Sequence, residues 1–486
     1  MKRNIVFVMM LMISGCMGLK AQRRQQVPAQ NAPKATSRER MLGMEMSSPQ
    51  AVRRAVPQML EGAAKRPPMT LKEFENLALA NNPTLRQADD IVRRSEAQAR
   101  QAGLYPNPSV GYVGSEIRGG SYGGGEQGAF VQQTIVLGGK LGLRRRVFQE
   151  QQREDEAGLS VQRYCVLSDV DQRFYSALAD QGLVTLREQL LKIARDAAET
   201  ARQLANVGQA DLPDVLQAEV EADRAGVDYT SAQTNYIRAF NTLAATVEKP
   251  NLPVSHLQGD LTNWPQLSPQ IVDTIVHDSP AVKRAEDAVE RAEAQLRSAR
   301  REAFPNLQVQ AGVQQDGEAL SEAASKLKPV GVIGLASVGV NIPIFNRNQG
   351  NVAAAQIELN NAREEVTRVQ LSLRRTAERL FRSYLADENE ATQYREDMIP
   401  KATHAYRLYL NDYRQMAAAY PEVLISQRTL FQLQISYVQA VGQLWQNAIA
   451  LRNFALTNGL AAPLASGSTS TTVNLPNDGA GSPAGE

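Results

Sequence analysis

The chain holds little of what catalytic and metal centres are built from. Its three histidines, His256, His277 and His404, stand far apart among 486 residues. A zinc or copper site gathers three or four nitrogen, sulfur or oxygen ligands, so these read as surface or loop side chains and no metal site is expected. Cysteine occurs only at Cys16 and Cys165. Cys165 reads as a buried thiol on a helix, and disulfides contribute nothing to stability. Neither a nucleophile–base pairing nor a convergent pair of acids is present, so no enzyme and no cofactor is expected. Acids and bases nearly cancel, at a net +2, and no global field points to nucleic acid. Beyond the N-terminus no run reaches the ~20 apolar residues of a membrane helix. Aromatics are sparse while alanine, glutamine, arginine and glutamate abound, a balance that favours long helices.

The first residues read as an export signal. Lys2 and Arg3 precede an apolar run from Ile5 to Ile13, too short to span a bilayer. It ends in Ile13-Ser14-Gly15-Cys16, which resembles the bacterial lipobox, whose cysteine is lipidated and becomes residue one. Cleavage after Ala21 is the alternative. Residues 1–15 are assigned to the signal peptide, and 16–66, basic and proline-rich, to an extended linker. Residues 461–486, rich in Gly, Ser, Thr and Pro, read as a disordered tail.

What the chain does have is an internal duplication. Asn82-Pro83-Thr84-Leu85, followed by Ala88, Ala97 and Gln98, recurs 197 residues later as Ser279-Pro280-Ala281-Val282, followed by Ala285, Ala294 and Gln295. Both copies reach an aromatic-Pro-Asn turn, Tyr105-Pro106-Asn107 and Phe304-Pro305-Asn306. Leu212-Pro213-Asp214-Val215-Leu216 matches Tyr420-Pro421-Glu422-Val423-Leu424 at an offset of 208. Such a period far exceeds the 20–50 residues of solenoid units. It divides the chain into repeats at 67–252 and 268–460, joined by a linker at 253–267.

Each repeat predicts the order helix, two strands, long helix, turn, helix. The first helices are expected at about 71–103, with Thr70 and Glu73 as a capping box, and at about 269–303. Leu307, Val309, Ala311 and Val313 alternate with glutamines and Gly312, and Ala336, Val338, Val340 and Ile342 alternate with Ser337, Gly339 and Asn341. That is the period of two of a half-buried strand. In copy one, 131–137 alternates less cleanly and 109–117 is weaker; loops are expected at 118–125 and 316–328. Between Pro108 and Pro213 there is no proline, and 141–206 would measure about 100 Å as one helix. Its counterpart from 349 to about 416 holds Pro400, where a kink is expected. Return helices are expected at 212–247 and 421–456. Four strands, apolar on one face, cannot close by themselves and would expose their edges. In a bilayer they require a closed sheet.

With its doubled Asn/Ser-Pro helix start, doubled aromatic-Pro-Asn turn and doubled Asp/Glu-Val-Leu turn, the chain resembles the TolC-type outer-membrane efflux protein family over about residues 67–460. Leu137-Gly138-Gly139-Lys140 and the stretch from Ile342 to Gly350 resemble most the branch serving cobalt–zinc–cadmium cation pumps. The resemblance implies a mainly α fold with a small β part: a homotrimer whose transmembrane β-barrel, four strands per chain, continues into a long α-helical barrel. It implies a passive exit duct in the outer membrane, surrounded by lipid and reaching into the periplasm. A periplasmic adaptor and an inner-membrane pump, of the resistance-nodulation-division type, complete the system. Heavy-metal cations are the expected cargo, drugs or secreted polypeptides the alternative; a periplasmic helical spacer without a pore is a third reading.

The turns at 207–211 and 415–419 fall at the far ends of the long helices. The resemblance places an acidic aperture there, for which Asp211, Asp214 and Glu422 are the matching residues. Three copies of such carboxylates would concentrate cations. The other reading of Asp214 and Glu422 is as first-turn acids after Pro213 and Pro421, favoured by the helix dipole. Val207, Gly208, Met416 and Tyr420 are the candidates for adaptor docking. The arginine that latches the tip in some relatives has Ala418 in its place. Where the copies differ, at Pro400 and Met416 against Lys192 and Gly208, unequal movement of the two hairpins is expected.

Overall fold

The computed structural model describes residues 60, 63, 65–115, 125–320, 328–415, 417 and 420–465, all within the unit Val56–Glu486. Cys16, Met416 and Ala418 lie outside the described residues. In chain order the elements are β1 (Met69–Thr70), α1 (Leu71–Asn81), α2 (Pro83–Ala102), β2 (Ser109–Ser115), β3 (Glu126–Ile135), α3 (Lys140–Asn206) and α4 (Leu212–Thr246). The second copy follows with β4 (Leu257–Gln258), α5 (Gln270–Asp278), α6 (Pro280–Arg301), β5 (Leu307–Leu320), β6 (Lys328–Val340) and α7 (Gln349–Gln393). A π-helical turn, Tyr394–Met398, leads into α8 (Ile399–Arg414), and α9 (Tyr420–Arg452) returns. Among the described residues no helix is long and apolar enough to cross a membrane.

The opening helix of each copy is two helices, not one. Asn82 sits at φ −60°, ψ 124°, ending α1 and capping α2 at once; its Oδ1 accepts from Thr84 N at 2.9 Å. Ser279 does the same between α5 and α6, its Oγ accepting from Ala281 N at 3.2 Å. The cause is Pro83 and Pro280, which push the preceding residue out of the helical region. Upstream, the expected capping box is in place: Thr70 N donates to Glu73 Oε2 at 2.8 Å, and Glu73 N to Thr70 Oγ1 at 3.4 Å. The short β1 pairs in parallel with β4, so the inter-repeat segment contributes a strand that its sequence does not announce.

The long helices anchor on two apolar clusters. In the first, Phe74 meets Phe174 and Phe240 at ring centroid distances of 5.9 and 6.1 Å, with Tyr236, Leu243 and Val170 around them. The second gathers Leu373, Tyr384, Leu444, Trp445 and Leu451. Each such side chain contributes about 1.5–3 kcal/mol when fully buried. Tyr175 of α3 stacks on Trp445 of α9 at 3.8 Å, joining the copies, and the Trp445 indole donates to Leu261 O at 3.0 Å. Cys165 is buried as expected, its thiol pushed up to about 12 by burial and by Asp169, and so chemically inert.

The strands form one antiparallel sheet in the order β2-β3-β5-β6. Its strands are longer than expected in copy two: β5 and β6 run past an irregularity between Asp316 and Ala319 into the stretch read as loop. In copy one β3 begins at Glu126 and stops at Ile135, earlier at both ends than the expected segment. Register places Val110 opposite Val131, Ala129 opposite Val313 and Val309 opposite Val338. One face is therefore mainly apolar, with Val110, Tyr112, Val131, Val313, Val332 and Val338 exposed and Gln127, Gln133 and Gln315 toward its two ends. The other carries Gln132, Gln308, Gln310 and Gln314. On that face the Phe130 ring occupies the space above Gly111, where a Cβ would come within 2.5 Å of it. β2 and β6 are both edges.

Burial, with the neighbouring Glu75 carboxylate next in weight, pushes the Asp171 carboxyl of α3 up to about 7; Asn453 donates to it at 3.3 Å. An acid with a higher folded than unfolded pKa adds stability that is complete below pH ~4 and lost as the pH rises through ~7. Thermal unfolding of the detergent-solubilised protein is therefore expected at a lower midpoint at pH 8 than at pH 5. Asp171→Asn should narrow that gap, leaving the smaller share of Asp180 and Asp387, which burial also raises.

Candidate functional site

The far ends of the two helix pairs are built differently. Between α3 and α4 the chain turns through Gly208 at φ +75°. Gly208 N donates to Ala205 O at 3.0 Å and Gln209 N to Leu204 O at 2.8 Å, the left-handed glycine ending that satisfies the last helical carbonyls. A side chain at 208 would meet nothing within 4 Å, so the turn is open on that side. Val207 beside it is 67 % exposed. Asp211 is the N-cap of α4 without a side-chain cap bond, and Asp214 is the acid of its first turn. The second turn follows α8, where Gln415 N donates to Asn411 O at 3.1 Å, and Glu422 lies in the first turn of α9.

Asp211 and Glu422 are exposed and Asp214 is half-buried; none makes an ion pair among the described residues. Asp214 lies near the tilted Tyr413–Tyr420 ring pair, whose centroids are 5.6 Å apart. Burial, followed by Tyr413, Glu221 and Asp214, pushes the Tyr420 phenol up to about 12. Burial and Asp214 raise that of Tyr413. Both the first-turn acid reading and an acidic aperture are compatible with these positions.

Tyr420 is not on the surface. It is 4 % exposed and packs with Ala198, Ala201, Val215, Ala218 and Leu424, which ties the second hairpin to the first. Its side chain supports the turn rather than presenting itself to a partner. Close to this cluster an ion pair links Arg428 of α9 to Glu221 of α4, while Arg187–Asp228 (2.7 Å) and Arg202–Glu219 brace α3 against α4. Sequence reasoning missed Arg428, Glu221 and Tyr413. The signal was available in the duplication: at an offset of 208, Arg428 answers to Val220, Tyr413 to Ala205 and Tyr420 to Leu212. Side chains special to one copy mark where the copies meet.

A model of the family described as outer membrane efflux protein matches residues 75–247 and 271–455, hairpins included. The cobalt-zinc-cadmium resistance protein CzcC of Cupriavidus metallidurans is 26% identical over 385 residues, covering 79% of this chain and 89% of that protein. The probable efflux pump outer membrane protein TtgC of Pseudomonas putida is 27% identical over 387 residues, covering 75% and 78%. Among solved structures, CusC superposes with a TM-score of 0.63 at 19% identity, over 79% of this chain and 91% of that one.

Tyr420→Ala should loosen the tip, since truncating a buried aromatic costs about 3–5 kcal/mol, whereas Arg428→Ala removes a partly exposed ion pair worth about 1 kcal/mol or less. Hydrogen exchange over 198–218 and 413–424 is the measurement. Faster exchange in the tyrosine variant than in the arginine variant is expected, with the sheet unchanged in both.

Proposed function

The chain belongs to the outer membrane efflux protein family, and on that premise we propose that three copies form a duct that carries heavy-metal cations across the outer membrane. One observation carries the reading: a four-stranded sheet, apolar on one face and glutamine-rich on the other, continuous in sequence with helices about 100 Å long. Because the strand number is even, β2 of one copy meets β6 of the next in antiparallel sense, and the pattern repeats without a clash of direction. Twelve strands from three chains fall within the even-numbered range of outer-membrane barrels, whose lipid face is apolar and whose lumen is polar. The mainly apolar face then meets lipid, with Gln127, Gln133 and Gln315 near its rims, and Gln132, Gln308, Gln310 and Gln314 line water.

The helices extend from the periplasmic end of that barrel. Exposed Val207 and the open turn at Gly208 suit contact with a periplasmic adaptor, which would couple the duct to an inner-membrane pump of the resistance-nodulation-division type. Met416 faces the same task by sequence position alone. The duct itself supplies no energy and no cofactor chemistry. At the tip, Asp211, Asp214 and Glu422 from three copies would surround a narrow opening and concentrate cations by their field, without ligating them. The metal cargo is supported by the likeness to CzcC, whose name states cobalt, zinc and cadmium resistance. The comparable likeness to ArpC of Pseudomonas putida, whose name states antibiotic efflux, favours drugs as the second reading.

Deleting the gene is expected to raise sensitivity to zinc, cobalt and cadmium, restored by the intact gene; unchanged metal tolerance with raised antibiotic sensitivity would reverse the cargo assignment. In planar bilayers, Asp214→Asn combined with Glu422→Gln should lower the preference for cations over anions. Identical reversal potentials in the variant and the parent would leave these acids with helix capping alone.

A further inference from the structure

We propose that an arginine-lined cleft at the junction of sheet and helices binds the phosphate of an anionic phospholipid from the periplasmic leaflet. The inference rests on the outer-membrane duct reading and adds a ligand to it. The cleft, of about 640 Å³, has Gly138, Gly139 and Gly142 on one side and Arg297, Arg300 and Arg301 on the other. A Cβ at Gly139 or Gly142 would meet nothing within 4 Å, so a headgroup reaches the backbone there unhindered.

The charge is unbalanced. The acid nearest in sequence to the end of α6, Glu302, is shared by Arg144 at 2.8 Å and Lys140 at 3.8 Å. Arg297 leans on Glu293 at 3.5 Å, a carboxylate that Arg363 also holds. Among the described residues Arg300 reaches only the Gln356 amide oxygen, at 3.4 Å. Arg301 donates through Nε to Gly138 O at 2.8 Å, which fixes its guanidinium at the rim. Arg300 and Arg301 have no acidic partner among the described residues, and neither does Arg145 on the first turns of α3.

Apolar surface adjoins this charge. The Arg301 guanidinium carbon lies 5.5 Å from the centre of the Phe304 ring, and Phe304, Leu137, Tyr105 and Phe345 are all exposed. Gly138 follows the last residue of β3 by three positions, and Phe304 precedes the first of β5 by three. The cleft thus sits where the lipid-facing sheet ends, at headgroup depth. A free phosphate would satisfy the arginines and leave the aromatic rim bare. An amphiphile with an anionic head and acyl chains covers both. The cleft is at the helical end of the sheet, so the available amphiphile is the phospholipid of the periplasmic leaflet, with phosphatidylglycerol or cardiolipin favoured over zwitterionic phosphatidylethanolamine.

The test uses the full-length protein purified from mixed phosphatidylethanolamine–phosphatidylglycerol membranes, with retained lipid counted by native mass spectrometry. The parent should retain phosphatidylglycerol in preference, and Arg300→Gln with Arg301→Gln should lower that retention about twenty-five-fold, at roughly fivefold per arginine beside an anionic lipid. Arg300→Lys with Arg301→Lys should restore most of it, and Arg195→Gln with Arg407→Gln, an equal charge change on α3 and α8, should leave it unchanged. Equal retention by the double glutamine variant overturns the proposal, as does full displacement by glycerol phosphate, which would make the cleft a phosphate site. Channel formation in planar bilayers separates the two readings. Channels without a phosphatidylglycerol preference sink only the lipid site, and a parent protein that forms no channels sinks the duct.

Discussion

Backbone hydrogen bonding at the outer strands β2 and β6 governs the rest of the molecule. In a bilayer an unpaired N–H or C=O costs several kcal/mol, and each chain presents two such edges. The side chains make retreat into water costly too, because the middle of the face with Val110, Val131, Val313 and Val338 is apolar. Nothing within one chain covers either the edges or that face among the described residues. In the proposed duct the remedy is further copies of the same sheet. Once the strands are fixed around an axis, the helices that continue from them at Gly139 and Asn348 are fixed around it too. Both residues take left-handed conformations, at φ +70° and +62°, and so turn the chain sharply from strand to helix.

The duplication makes two similar staves from one chain, but the staves are not equal where they meet. Copy two places aromatic rings at Tyr413 and Tyr420 where copy one has Ala205 and Leu212. Small residues on α3, Ala198 and Ala201, leave the room those rings need. Higher up the copies meet ring on ring instead, where Trp445 of copy two lies flat on Tyr175 of copy one. Its own position in copy one, by the 208-residue offset, is Ile237. Aromatic bulk from one copy against smaller side chains of the other lets two homologous helices interlock without competing for one space.

Much of this was legible in the sequence because it is periodic. The repeat, the alternation in β5 and β6, and the proline-free run of α3 are patterns over many residues, and each produced its element. Local punctuation was harder to weigh. Pro83 and Pro280 were visible, yet the helical period on both sides masked the break that Asn82 and Ser279 make. The β1–β4 pair spans only two residues in each strand, too few for any period to register. Tyr420 read as a docking candidate because it adjoins a turn, and turns run over the surface; its burial depends on α3 and α4, more than 170 positions away. The arginine cleft joins α3 to the end of α6 and becomes a patch only when the sheet brings those ends together.

The π-helical turn at Tyr394–Met398 shows how copy two reaches nearly the same length with a proline in its path. Pro400 has no N–H to give, and its ring would crowd the carbonyl of Glu396 in a regular α-helix. Widening the preceding turn moves that carbonyl away, so the helix passes the proline without stopping. Gln349–Arg414 runs nearly as far as the 67 residues of α3. The wider turn holds about one residue more than an α-turn, which rotates everything beyond it by about 100° relative to an unbroken helix. That rotation changes which faces α8 offers: it has no buried residue, and Leu408 and Tyr409 are exposed. Tyr413, at its end, is the residue that turns inward to meet Tyr420. The proline, the wide turn and the tyrosine pair are thus linked steps in bringing an unequal second stave to the same end point as the first.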